Sequence, residues 1–147
     1  MRMPRCLRID QHGQSGPRWA VHSGWQVDGY TVPTDTTRWT RLLVPVADEV
    51  AREWPGRTFM LFDFAVRASY RGRGVWRALH DQLLGSRSEE RATLAVEPEA
   101  IQSKQIYEHW GWRLVGRKPG APGDSSPMFE IYLHERLDDL RRVQTRR

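Results

Sequence analysis

The residues with the plainest chemical purpose are Arg71-Gly72-Arg73-Gly74, which follow a nearly continuous apolar run, Phe59 to Val66, and precede a segment with helical spacing. Glycines let a backbone come close to a ligand, and the first N–H groups of a helix have no internal partners. Those donors, with the positive end of the helix dipole, suit a phosphate or pyrophosphate. Arg71 and Arg73 add charge-assisted donors at the same mouth. The same four letters also make an ordinary surface turn, so the turn needs corroboration. Two phosphate motifs fail by their letters: Arg77 stands where a dinucleotide fingerprint wants its third glycine, and no Gly-Lys-Ser or Gly-Lys-Thr occurs. The histidines His12, His22, His80, His109 and His134 show no metal-ligand spacing with Cys6 or paired acids. No Gly-x-Ser-x-Gly elbow exists, although a Ser-His-Asp set drawn from distant residues stays open.

The elements that must position these residues follow from periodicity. Residues 1–17 carry Pro4, Gly13, Gly16 and Pro17 with no sustained period, which predicts irregular chain with a short strand around Cys6–Ile9. Two β-rich runs, Trp19–His22 and Trp25–Val32, split by Ser23-Gly24, predict a hairpin. After a loop, Val46, Ala47, Val50, Ala51 and Trp54 recur at helical spacing until Pro55-Gly56. Phe59–Val66 reads as a strand covered on both faces. The helix after Gly74 carries Val75, Leu79 and Leu83 on one stripe, with Gly85 just past its end. A buried strand at Ala92–Val96, a helix from Pro98 to about Trp110, a short strand at Trp112–Val115, a loop at Pro119–Pro127 and a strand at Met128–Leu133 complete the order. The expectation is an α/β domain (α+β layered), with a mixed, mainly antiparallel sheet and helices on both faces.

Composition bounds the rest. At 147 residues the chain fits one domain. No apolar run approaches the ~18–20 residues of a membrane span, and the Arg-studded start is no signal peptide. A lone cysteine excludes an internal disulfide, so a cytoplasmic protein is the default. Four arginines, Arg141, Arg142, Arg146 and Arg147, supply most of the +5 formal charge. That pattern reads as a solvated C-terminal tail over 135–147 and argues against a nucleic-acid surface, which would cluster its charge on one face.

The second half resembles the GNAT superfamily of acyl-CoA N-acetyltransferases. Arg71-Gly72-Arg73-Gly74-Val75-Trp76 is similar to that family's Gln/Arg-x-x-Gly-x-Gly/Ala signature except at its last position. Asp63-Phe64-Ala65-Val66 looks like the end of its preceding strand, and Ile106-Tyr107-Glu108-His109-Trp110-Gly111-Trp112 like its Leu-Tyr-Glu-x-x-Gly-Phe segment. The match covers residues 59–134, and the hairpin at 18–32 resembles the family's second and third strands more loosely.

The resemblance implies roles. The backbone N–H groups of Arg71, Gly72, Arg73, Gly74, Val75 and Trp76 would hold the pyrophosphate of acetyl-CoA, the co-substrate. The strand backbone at Phe64, Ala65 and Val66 would pair with the pantetheine arm. Tyr107 would protonate the departing thiolate, and Ser103, one turn earlier, would touch the cofactor. Asp63, an acid in an apolar strand, is a candidate base for the acceptor ammonium or a paired structural acid. Trp76, where the family has Gly or Ala, Ser103, where it has Ala, and Ala100, where it often has Asn, are departures. The front departs more: 17 residues precede the hairpin, too few for the family's strand and two helices, since two average helices take about 22–24. The expected boundaries are an irregular segment at 1–17, a GNAT-like acetyltransferase domain at 18–134 and the basic tail at 135–147. The expected function is transfer of acetyl to an amine of a small molecule or protein, with a homodimer left open. The alternative is a GNAT-fold module that binds CoA or a partner without turnover.

Overall fold

The computed structural model describes the backbone of residues 8–9, 18–22, 25–66 and 74–145, and side chains from Gly29 to Leu61 and from Gly74 to Val143 apart from Val75. Seven strands form one sheet in the order β1-β2-β3-β4-β5-β7-β6. They are β1 (Arg8–Ile9), β2 (Arg18–His22), β3 (Trp25–Thr31), β4 (Thr58–Val66), β5 (Arg91–Val96), β6 (Arg113–Pro119) and β7 (Met128–His134). Among the described strands only β4 and β5 run parallel, joined by a crossover through helix α2 (Val75–Gly85). Helices α1 (Asp48–Ala51), α3 (Ile101–His109) and α4 (Leu137–Thr145) are the other helices among the described residues.

Both sheet faces are covered, as the strand pattern requires. On one face Phe59, Leu61, Leu94 and Tyr132 meet Leu79, Leu83 and Leu84 of α2, Tyr107 of α3 and Leu137 of α4. On the other, Ile131 and Leu133 of β7 meet Trp39 and Leu42, with Val50 and Ala51 of α1 packed behind. The alternation of Ile131, Tyr132 and Leu133 between the two clusters is the period of two that a strand imposes. Burying each such leucine or isoleucine contributes about 1.5–3 kcal/mol.

Three local expectations are corrected. The helix read from Pro45 through Trp54 is a single turn: Arg52 is extended at ψ 129° and Trp54 is 44% exposed. The Arg57 guanidinium bonds the backbone carbonyls of Glu49 and Arg52, and the residue before a proline avoids helical geometry. The C-terminal segment, read as a solvated tail, is helix α4, because Leu137 is fully buried and Leu140 packs on the core. Gly85 lies inside α2, and the helix is closed by Ser86, whose N–H bonds the carbonyls of Gln82 and Leu83, and by the Arg87 N–H, which bonds that of Leu84. Among the described residues no helix is long and apolar enough to cross a membrane.

Candidate active site

The feature that could admit a ligand is a parting of the two parallel strands. β4 and β5 pair only at Thr58↔Arg91, Phe59↔Ala92 and Met60↔Thr93. Beyond that point β4 continues to Val66 beside β3, and β5 continues to Val96 beside β7. Among the described residues, the peptide groups of β4 that face β5 therefore have no neighbouring strand over Phe64, Ala65 and Val66. The register of β3 on β4 also slips: Asp28 opposes Asp63 and Gly29 opposes Leu61, so Phe62 is an extra residue that bends β4 at the opening. Gly29 is required there, since a Cβ would fall 2.1 Å from the Phe59 ring.

Helix α2 returns across the sheet from the carboxyl end of β4, so its first turn lies at the mouth of this fork. Gly74 opens it at φ +71°, exposed, with nothing within 4 Å of where a Cβ would stand. No side chain caps the turn and no acid lies in it. Its leading N–H groups remain available, as at any uncapped helix start. Arg71, Gly72 and Arg73 lie outside the described residues, as do the side chains of Asp63, Phe64, Ala65, Val66 and Val75. The backbone nonetheless puts Asp63 opposite Asp28, an acid–acid register that sequence reading missed.

Trp76, the departure in the signature, packs edge-on against Trp110, with ring centroids 6.0 Å apart, as part of the core behind the turn. Tyr107 is buried in the same cluster, 6.0 Å from Trp110 and 5.9 Å from Trp112 by ring centroids. Its hydroxyl makes no hydrogen bond with any described residue, and burial pushes the phenol up to about 12. Ser103 stands one helical turn before it on the same face, half-buried.

Sequence reasoning missed His80. It sits at the fourth position after Trp76 and three before Leu83, inside the buried stripe, and is 1% exposed. The Trp112 indole N–H donates to His80 Nε2 at 2.8 Å, which leaves Nδ1 to carry the proton and donate to Asp81 at 2.8 Å. Asp81 also accepts from Arg77 Nε. This resembles half of a Ser-His-Asp relay, but the nitrogen a nucleophile would use is occupied by an indole. Burial lowers the His80 pKa, outweighing its Asp81 partner.

No family model and no curated protein sequence matches the chain. Solved structures do. A spermidine N-acetyltransferase, SpeG F149A from Vibrio cholerae, is 13% identical with TM-score 0.60, over 90% of this chain and 72% of that one. Chaetomium thermophilum Naa20, solved in complex with a bisubstrate analogue, is 15% identical with TM-score 0.56, over 81% and 63%. Ard1 from Thermoplasma volcanium is 16% identical with TM-score 0.53, over 75% and 61%, so this chain spans about six-tenths of that protein's length. The parted strands, the uncapped helix after them and these likenesses agree: the chain has the fold of the GNAT N-acetyltransferases.

Proposed function

We infer that this chain is an acetyl-CoA-dependent N-acetyltransferase in which an amine attacks the thioester directly. The observation that carries the reading is the fork: a strand edge left open inside a sheet, with an uncapped helix start at its mouth. An extended amide-bearing arm fits the first and a pyrophosphate the second. The backbone of Phe64, Ala65 and Val66 would pair with the arm, and the amides from Arg71 to Trp76 would hold the diphosphate. Ser103 would line the same cleft from α3. When bound, acetyl-CoA supplies an acyl group activated by a sulfur leaving group.

In the transfer, the amine nitrogen forms a bond to the acyl carbon, the carbon–sulfur bond breaks, and one proton passes from nitrogen to solvent or Asp63. Tyr107 would face the departing sulfur. A phenol with its pKa near 12 is a weak proton donor to a thiolate of ordinary pKa about 8.5. Its contribution is therefore a hydrogen bond to the developing charge, with the proton kept on oxygen.

Calorimetric titration with acetyl-CoA tests the reading. Binding is expected in the intact chain and lost in Gly74→Glu, which combines a disfavoured φ with negative charge at the helix start. Absence of binding by the intact chain overturns it. Binding without thiol release across an amine panel would favour the non-catalytic module instead.

A further inference from the structure

On the sheet face opposite α2, cations lie between the fork and the β6–β7 turn. Arg38 Nε donates to Thr93 Oγ1 at 3.1 Å, and Thr93 belongs to the last pair before β4 and β5 separate. Thr93 in turn donates to the Tyr132 carbonyl, which fixes the acceptor that positions Arg38. Arg38 is half-buried, and its Nη2 is enclosed with no hydrogen-bond partner. A buried cationic donor left unmet is costly, so such a group calls for an acceptor.

Lys118 of β6 lies on the same face, since it pairs with Phe129 two residues along from the Gly116↔Ile131 pair. With Arg41 it lines a cavity of about 420 Å³ flanked by Pro119 and Pro122. Among the described residues, Arg38, Arg41 and Lys118 form no salt bridge. Burial, and then the charges of Arg38 and Arg41, lower the Lys118 pKa, while Asp124 acts in the opposite sense. Asp124 is itself engaged in holding the β6–β7 turn, where it accepts from the Ala121 N–H at 2.7 Å. Arg41 and Lys118 thus share the cavity with one carboxylate that is already in use, and Arg38 stands close enough for its charge to act on Lys118.

We propose that the acceptor is a small-molecule amine that also carries an oxyanion, a carboxylate above all, which Arg38 and Lys118 hold on the face opposite α2 with Arg41 at the rim. The amine then points into the fork from the side that a carrier entering past α2 leaves free. This assignment rests on the acetyltransferase reading and names its substrate class.

Paired acceptors decide it: L-amino acids against their carboxamides, with aminoethyl phosphate and spermidine as further arms, read by thiol release from acetyl-CoA. The acids should exceed their amides in kcat/KM by about tenfold or more, the scale of one charge-assisted bond. Arg38→Gln and Lys118→Met should each remove that preference while leaving the amides within about twofold. Faster turnover of aminoethyl phosphate than of the amino acids would support the oxyanion and assign it to phosphate. Equal rates for acid and amide, a preference for spermidine, or parallel losses on both substrates would overturn the proposal. Lys118→Met, at the cavity wall, decides the matter if Arg38→Gln fails to fold. If acetyl-CoA does not bind, the enzyme reading fails by itself. The anion site is then judged by NMR titration of the free protein with N-acetylalanine and its amide. Shifts for the acid alone that Lys118→Met abolishes support it, and their absence refutes it.

Discussion

Tyr107 and His80 pack against the same two indoles, Trp110 and Trp112, yet their polar atoms are used oppositely. The phenol has no protein partner among the described residues, whereas both imidazole nitrogens are committed. Removing an unbonded hydroxyl should cost little stability. Tyr107→Phe is accordingly expected to keep the unfolding midpoint within about 2 °C, the scale of half a kcal/mol, while lowering acetyl transfer about 10²-fold. Thermal scans and thiol release measure the two effects on one preparation. For His80 the sign runs through linkage. Its folded pKa lies below the unfolded value of about 6.5, so the unfolded chain binds the proton first as pH falls. Its stabilisation is complete above about 6.5 and is lost as pH drops from there through the folded pKa. His134, also lowered by burial, adds in the same direction. Urea unfolding should weaken from pH 6.5 to 5 at up to about 1.4 kcal/mol per pH unit for each histidine. Trp112→Phe should cost about 1–3 kcal/mol at pH 7.5 and flatten that slope, since Nε2 loses its donor and protonates more readily. A slope of zero in the intact chain would contradict the buried neutral imidazole.

Among the elements, α1 is too short to stand by itself, and a buried ion pair joins packing and the Arg57 bond in positioning it. Arg91 Nη2 reaches Glu53 at 2.7 Å with both side chains 2% exposed, and the same nitrogen bonds the Val50 carbonyl. Arg91 Nε donates to Thr58 at the closed end of the fork, and Thr58 also bonds Glu53. Breaking such a pair from one side leaves an uncompensated charge. Glu53→Ala should therefore destabilise the protein by about 3–5 kcal/mol, while Glu53→Leu with Arg91→Met should approach neutrality. Denaturant titration of the three proteins checks this, and a small loss in the single variant would show that packing and the Arg57 bond to the Glu49 carbonyl suffice to hold α1. Neither partner announces itself in sequence. Glu53 lies in the stretch whose spacing reads as a helix up to Pro55, and Arg91 opens a strand whose partners Val50 and Glu53 stand about forty positions earlier in the chain.

For the whole molecule, legibility divided along the same line between local and distant causes. The strands and α2, α3 could be read because their apolar residues repeat at two or at three to four, and the Gly74 helix start because its glycine sits where φ turns positive. The covering of the second face could not: Trp39 and Leu42 lie in a loop without period and find Ile131 and Leu133 about ninety residues on. Arg38 was unread for the same reason, its partner Thr93 being 55 residues away. The parting of β4 from β5 is likewise a property of pairing, invisible in either strand alone.

That parting has a bearing on self-association. Unpaired strand backbone is normally a hazard, because another molecule's sheet can zip onto it. The outer strand β6 is blunted by Pro119, by charged residues and by the Leu43 N–H bonded to its Arg117 carbonyl. The vacant edge of β4 is protected differently, by position. It lies between two strands of its own sheet, away from the outer edges where a second sheet docks, so the chain keeps an adhesive surface without becoming sticky.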